Sequence, residues 1–185
     1  MNYNEAKDII LSELSNTLNL VSKNEIKSLI DNINKSEKIF FVGVGRVKLS
    51  LEAIAKRWSH IGYKVFIVGQ ITEPAISKDD ILIVGSGSGE SIYPLQIAKK
   101  AKKFGATVVH IGSNKYSSMR EYSDLFIRIP VQTKLYLGDE IKSKQPMTSL
   151  FEQSLLIIGD IISMMIVSNK EVDMDDLWKY HANLE

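Results

Sequence analysis

Two short stretches place glycine, hydroxyl and guanidinium groups where an anionic ligand would use them. Gly43-Val44-Gly45-Arg46 follows the apolar run "KIFFV", and Gly85-Ser86-Gly87-Ser88-Gly89-Glu90-Ser91 follows "DILIV". Glycines such as Gly45, Gly87 and Gly89 let a backbone turn tightly and approach a ligand closely. The hydroxyls of Ser86, Ser88 and Ser91, the bared amides between them and the positive end of a following helix suit a phosphate dianion. Arg46 offers a fork of donors to a phosphate or sugar oxygen; the alternative is a solvated arginine at a helix start. Ser91 also fits an ordinary helix N-cap, and the two roles are compatible. Glu90 suits an anion site only if it turns away, toward its own helix.

Two further residues carry proton chemistry. Glu152 opens a strongly apolar stretch, "SLFEQSLLIIGD", directly after a long irregular segment. Partial burial there would raise its pKa toward a value suited to moving protons, whereas a helix N-terminus would favour the charged form. A dipole-stabilised helix-start carboxylate is the equal alternative. His181, in the terminal "KYHANLE", could exchange protons near neutral pH if the tail docks on a neighbour, and is otherwise an exposed terminal histidine. His60 and His110 read as packed structural residues with a hydrogen-bond partner. The three histidines are far apart and show no metal-ligand spacing. "GVGRVKLS" lacks the third glycine of a dinucleotide fingerprint, and no G-x-x-x-x-G-K-[ST] phosphate loop is present.

These residues need a scaffold. "KIFFVG", "KVFIVG", "DILIVG", "TVVHIG" and "DLFIRIP" are short apolar runs ending on glycine or proline, as in strands buried on both faces of a parallel sheet. Helical patterns lie between them. "RVKLSLEAIAKRWSHI" places Leu49, Ala53, Ile54 and Trp58 on one side, and "SIYPLQIAKKAKKF" tolerates Pro94 in its first turn. A helix from about Ser149 to Val167 is apolar nearly all round, which predicts burial. Two helices precede the first strand. One carries Ala6, Ile9, Ile10, Leu14 and Leu18; the other opens with Ser22 and Glu25 as a capping box and buries Ile26, Leu29, Ile30 and Ile33. Strands alternating with helices predict a doubly wound α/β sheet with its ligand site beyond the carboxyl ends of the strands. The loop 131–149 is long enough to suggest function.

At 185 residues, with 44% hydrophobic and 24% charged residues and a net charge of +1, the chain reads as one globular domain. We expect helices over 1–36, an α/β core over 37–168 and a tail helix over 169–185. The charge balance gives no reason to expect nucleic acid or a membrane surface as partner. No cysteine is present, which removes disulfides and thiolate zinc sites. The opening residues lack the apolar core of a signal peptide, and "LLIIGDIISMMIV", broken by Asp160, falls short of a membrane span. A cytoplasmic location is expected.

Taken together, "GVGR", "GSGSGES", the helix beginning "SLFEQ" and the terminal "HANLE" resemble the sugar isomerase (SIS) domain family. Within it, "QPMTSLFEQ" followed by "HANLE" is similar to the 6-phospho-3-hexuloisomerases of the ribulose monophosphate pathway. The resemblance implies a three-layer α/β/α sandwich with a five-stranded parallel sheet, flavodoxin-like in its winding. It implies a phosphate cradle at Ser86, Ser88 and Ser91 with Arg46 nearby, Glu152 as catalytic base, and His181 reaching the site from a neighbouring subunit of a homotetramer. The implied reaction, D-arabino-3-hexulose 6-phosphate to fructose 6-phosphate through a cis-enediolate, uses no metal and no redox cofactor. Such enzymes usually read Gly-Arg-Ser-Gly where this chain has Gly-Arg-Val-Lys. Val47 and Lys48 therefore keep open another aldose–ketose phosphosugar isomerase, and a non-catalytic phosphosugar-binding protein is a third possibility.

Overall fold

The five apolar runs form five strands: β1 (Ile39–Val42), β2 (Val65–Ile67), β3 (Ile81–Gly85), β4 (Thr107–Gly112) and β5 (Leu125–Arg128). The structure is a computed structural model that describes residues 1–170 and 175–184. The strands pair in the order β2-β1-β3-β4-β5, all parallel. Five α-helices accompany them: α1 (Tyr3–Asn19), α2 (Lys23–Lys35), α3 (Gly45–His60), α4 (Ile92–Lys103) and α5 (Ser149–Asn169). Short 3-10 turns cover Ser118–Tyr122 and Asp175–Tyr180. From β1 the chain steps outward to β2, then crosses back to β3 on the other side of β1. The winding reverses between β1 and β3, and such a reversal opens a crevice at the carboxyl ends of the strands. Both glycine-containing loops emerge there.

Alternation along the strands divides the core in two. Ile39, Phe41, Ile81, Ile83, Val109, Ile111 and Ile127 face one side, where α2, α3 and α5 cover them. Phe40, Val42, Leu82, Val84 and Val108 face the other, packed with Ala98 and Ala101 of α4 and with Met119. Burial on both faces is why the runs are continuously apolar rather than alternating. The result is the expected three-layer α/β/α sandwich.

The helices depart from expectation in four places. On α3 the buried stripe is Leu51, Ile54, Ala55 and Trp58, while Leu49 is 63% exposed and Ala53 is exposed as well. The observed set follows the i, i+3, i+4, i+7 rule; the predicted set was rotated off it. At α2, Ser22 Oγ accepts from the Glu25 amide, but the Glu25 carboxylate accepts from the Arg128 amide of β5 instead of returning to the cap. The reciprocal capping box belongs to α1, between Asn2 and Glu5. α5 is not buried all round, because Ile157, Ile161, Met164 and Met165 form an exposed stripe. Nor is it too short to span a membrane. Its 21 residues pass by length and composition, yet more than half of its most apolar stretch is buried inside the fold, as in a core helix.

α3 and α5 pack closely enough to require glycine. A Cβ at Gly159 would collide with Ile54 Cγ1, and Trp58 Nε1 donates to the Gly159 carbonyl at 3.5 Å. This contact sets the spacing between the helix starts that carry Arg46 and Glu152.

Candidate active site at the strand ends

The serine loop leaves β3 and turns at once into α4. Gly89 takes φ +67°, where a side chain would be strained, and a Cβ there would collide with Ser117 Oγ. Ser86 and Ser88 are buried. Their hydroxyls accept from loop amides, Ser86 Oγ from Gly89 N at 3.1 Å and Ser88 Oγ from Glu90 N at 3.3 Å. Ser91 holds the N-cap position of α4, but its hydroxyl makes no capping bond. Glu90 turns away from the loop as an anion site requires. Its carboxylate accepts from the Ser118 amide at 2.8 Å, not from its own helix.

Arg46 and Glu152 meet across the crevice. Arg46 lies in the first turn of α3, behind Gly45 with φ +57°, and Glu152 lies in the first turn of α5. Arg46 Nε sits 3.0 Å from Glu152 Oε2 as an ion pair whose N–H is not aligned as a hydrogen bond. Arg46 also donates through a terminal nitrogen to Ser149 Oγ at 3.3 Å. Thr148 Oγ1 donates to Glu152 Oε1 at 2.8 Å. Glu152 is only 7% exposed, whereas most of the Arg46 side chain is open. The carboxylate is thus held at Oε1 by a hydroxyl and paired at Oε2 with a guanidinium, and Oε2 accepts no hydrogen bond among the described residues.

The two halves share a floor. A Cβ at Gly85 would lie 2.8 Å from Val47 Cγ1, and one at Gly87 would lie 3.6 Å from the Phe151 ring. Phe151 adjoins Glu152 and Val47 adjoins Arg46, so the serine loop, Arg46 and Glu152 converge on the same strand ends. Lys48 does not crowd them. Its ammonium pairs with Glu52 at 3.7 Å one turn along α3, while Arg46 and Ser50 point to α5 and Val47 and Leu51 to the sheet.

His181 lies apart from these residues. It stacks near His60 (ring centroids 5.0 Å) and Trp178 (5.4 Å), and its Nδ1 donates to the Ala182 carbonyl at 2.8 Å. His60 ends α3 and Arg46 begins it, which separates them by roughly 20 Å at 1.5 Å per residue. Part of the predicted tail helix, residues 171–174 and 185, lies outside the described residues.

Several residues of the site carried no signal of their own in the sequence. Ser50 Oγ donates to the Glu152 carbonyl at 3.0 Å. Glu140 is a buried hub that accepts from Ser113 Oγ, Thr133 N, Thr133 Oγ1 and Leu137 N, organising the long loop from inside. Glu13 of α1 tethers the same loop from outside, accepting from Ser143 Oγ, Lys144 N and Gln145 Nε2. Burial acts to raise the Glu13 carboxyl, but these hydrogen bonds outweigh it and hold it below the usual carboxylate range. Loop 131–149 is therefore an ordered arm that delivers Thr148 and Ser149 to Glu152.

Comparisons with known proteins agree with this architecture. The sequence model of the SIS domain family matches residues 32–157. A Bacillus subtilis (strain 168) protein named 3-hexulose-6-phosphate isomerase is 38% identical over 176 residues, covering 95% of each chain. A protein of the same name from Mycobacterium gastri is 34% identical, covering 96% of this chain and 88% of its own. A crystal structure from Methanococcus jannaschii, described as implying 3-hexulose-6-phosphate isomerase function, superimposes with a TM-score of 0.84 at 34% identity, covering 98% of this chain and 99% of that one. With its reversed parallel winding, serine loop and paired Arg46 and Glu152, the chain belongs to the SIS domain family and is similar over nearly its whole length to members named 3-hexulose-6-phosphate isomerase.

Proposed function

We propose that this chain is a 3-hexulose-6-phosphate isomerase, interconverting D-arabino-3-hexulose 6-phosphate and fructose 6-phosphate. The observation that carries the reading is the buried Glu152 carboxylate, oriented by Thr148 and paired with Arg46 beside a serine loop built for a phosphate. The phosphate docks on the serine loop at Ser86, Ser88, Ser91 and the loop amides, and its binding energy holds the sugar carbons against the carboxylate. Glu152 Oε2 takes the proton from C2 of the 3-hexulose. The C–H electron pair forms the C2–C3 double bond as the C3 carbonyl oxygen becomes the enediolate oxygen. Arg46, already beside Oε2, stabilises that oxygen electrostatically. The second proton passes from the C2 hydroxyl to the C3 oxygen, Glu152 returns its proton to C3, and the electron pair left on O2 closes the C2 carbonyl of fructose 6-phosphate.

Two further parts of the reading concern assembly. The exposed apolar stripe of α5, with Met164 73% exposed, supports a subunit interface within a homotetramer. The distance of His181 from its own Glu152 supports a role in a neighbour's site, in proton exchange between oxygens or ring opening of fructose 6-phosphate. Cytoplasmic sugar-phosphate chemistry in the ribulose monophosphate pathway of formaldehyde assimilation completes the reading.

The test is conversion of fructose 6-phosphate by the purified chain, with formation of the 3-hexulose followed directly. Glu152→Gln keeps the size and the Thr148 contact but cannot take a proton. We expect kcat to fall by about 10²–10⁴-fold. A variant as fast as the parent would remove Glu152 as base. Lys48, which departs from Gly-Arg-Ser-Gly, does not bring its charge to the serine loop, because it is turned toward Glu52.

A further inference from the structure

The serine loop is held by its carbonyls, and among the described residues the external donors come from β4 and the turn that follows it. His110 of β4 donates through Nε2 to the Ser86 carbonyl at 2.9 Å. The Ser113 and Asn114 amides donate to the Gly87 carbonyl at 2.9 and 3.1 Å. Asn114 Nδ2 donates to the Ser88 carbonyl at 3.2 Å, while Asn114 Oδ1 accepts from the Tyr116 amide and so fixes its amide plane. His110, Ser113 and Asn114 are all buried. Burial holds the His110 pKa down to about 4, so the ring is neutral at physiological pH with a single N–H. A carbonyl only accepts, so that hydrogen is on Nε2.

The consequence lies on the other side of each peptide. In a trans peptide the N–H points opposite to the C=O. With the Ser86 carbonyl turned back to His110, the Gly87 amide must point away from β4. With the Gly87 carbonyl turned back to Ser113 and Asn114, the Ser88 amide must do the same. Neither amide has a hydrogen-bond partner among the described residues. Two successive amides freed in this way form a concave set of donors for an anion.

We propose that His110 is a positioning residue for phosphate binding, fixing the Ser86–Gly87 peptide plane so that the Gly87 amide faces the substrate beside the Ser88 amide. The proposal rests on the phosphosugar reading above, but binding tests it apart from turnover. If the Ser86 peptide were free to flip, it would present a carbonyl oxygen to the phosphate in place of an N–H.

The experiment measures binding of inorganic phosphate and of fructose 6-phosphate by calorimetry, together with KM and kcat, for the parent, His110→Leu, His110→Phe and His110→Gln. Loss of one donor aimed through a peptide at a charged ligand predicts about a ten- to hundred-fold rise in KM and in both dissociation constants, with kcat within about two-fold. His110→Gln, which restores a side-chain N–H at similar reach, is expected to recover most of the loss. A role limited to packing predicts lower thermal stability with unchanged phosphate affinity and no recovery in His110→Gln; that result overturns the proposal. If His110→Leu does not fold, His110→Phe, which keeps a ring in the buried site but has no donor, carries the same readout, and unchanged affinity there overturns it equally. Phosphate binding that weakens in the variants, in a parent that turns over no hexulose phosphate, would support the positioning role while refuting the isomerase reading.

Discussion

At the scale of single residues, the site depends on how each polar group is paired. Glu152 and His110 are both buried, yet they are handled in opposite ways. Glu152 is given a cation and a hydroxyl, so its charge is accommodated. His110 is given a carbonyl, which accepts a hydrogen bond from the neutral ring, and its burial disfavours the imidazolium. The pH dependence of stability follows. An unfolded histidine titrates near 6.5 and the folded one near 4, so between these values the unfolded chain binds more protons. Stability carries no penalty from this group above about pH 6.5, and loses up to about 3 kcal/mol as pH falls toward 4. We expect His110→Gln to flatten that part of the profile, measured by urea unfolding at successive pH values. An identical acid-side slope in the variant would show that His110 does not titrate as described. The serine loop, Arg46 and Glu152 were legible in the sequence because glycine, hydroxyl and charge at the ends of apolar runs are local signals. His110 was legible only as a histidine in need of a partner. Its role depends on the pairing of β3 with β4, which brings Ser86 beside it and has no local signature.

At the scale of elements, the geometry of the site is set by the approach of α3 to α5. Those helices begin at the strand ends and carry Arg46 and Glu152, and Gly159 permits the contact between them. A valine there would press on the branched Ile54 side chain in a core that cannot yield easily. Gly159→Val is expected to destabilise the fold by about 1–3 kcal/mol, read as a lowered urea midpoint. An unchanged midpoint would mean that the helices move apart freely. The strands and helices themselves were readable from periodicity. The stripe of α3 was misassigned because Leu49 and Leu51 are both apolar and two residues apart, so composition alone does not choose between faces; packing against Gly43 and Gly85 does. The order within loop 131–149 was hidden for a different reason. Its anchors, Glu13 and Glu140, are single carboxylates satisfied by backbone amides and polar side chains, which leaves no repeating pattern to detect.

At the scale of the whole molecule, the two ends of α3 define the problem. One end carries the chemistry and the other receives the tail with His181. The assembly proposed above would reconcile them through a site shared between subunits, with the exposed stripe of α5 as the surface it covers. Met164→Glu is expected to dissociate the proposed oligomer, seen by sedimentation, and to lower kcat together with it, as His181→Ala would. Full activity in a monomeric variant would exclude a contribution from a neighbour. The reading of the helix from about Ser149 to Val167 as buried missed the exposed stripe, because a helix apolar nearly all round does not say in sequence which face lies outside the core.

The most direct measurement is proton exchange during turnover. The chain is incubated with fructose 6-phosphate in D₂O, and deuterium at C1 and C3 is followed by NMR while the 3-hexulose is monitored in the same tube, so that shielded transfer does not pass unnoticed. The account predicts deuterium at C3 or formation of the 3-hexulose, both lost in Glu152→Gln. Exchange confined to C1, or neither label nor product while the phosphosugar still binds, would contradict it.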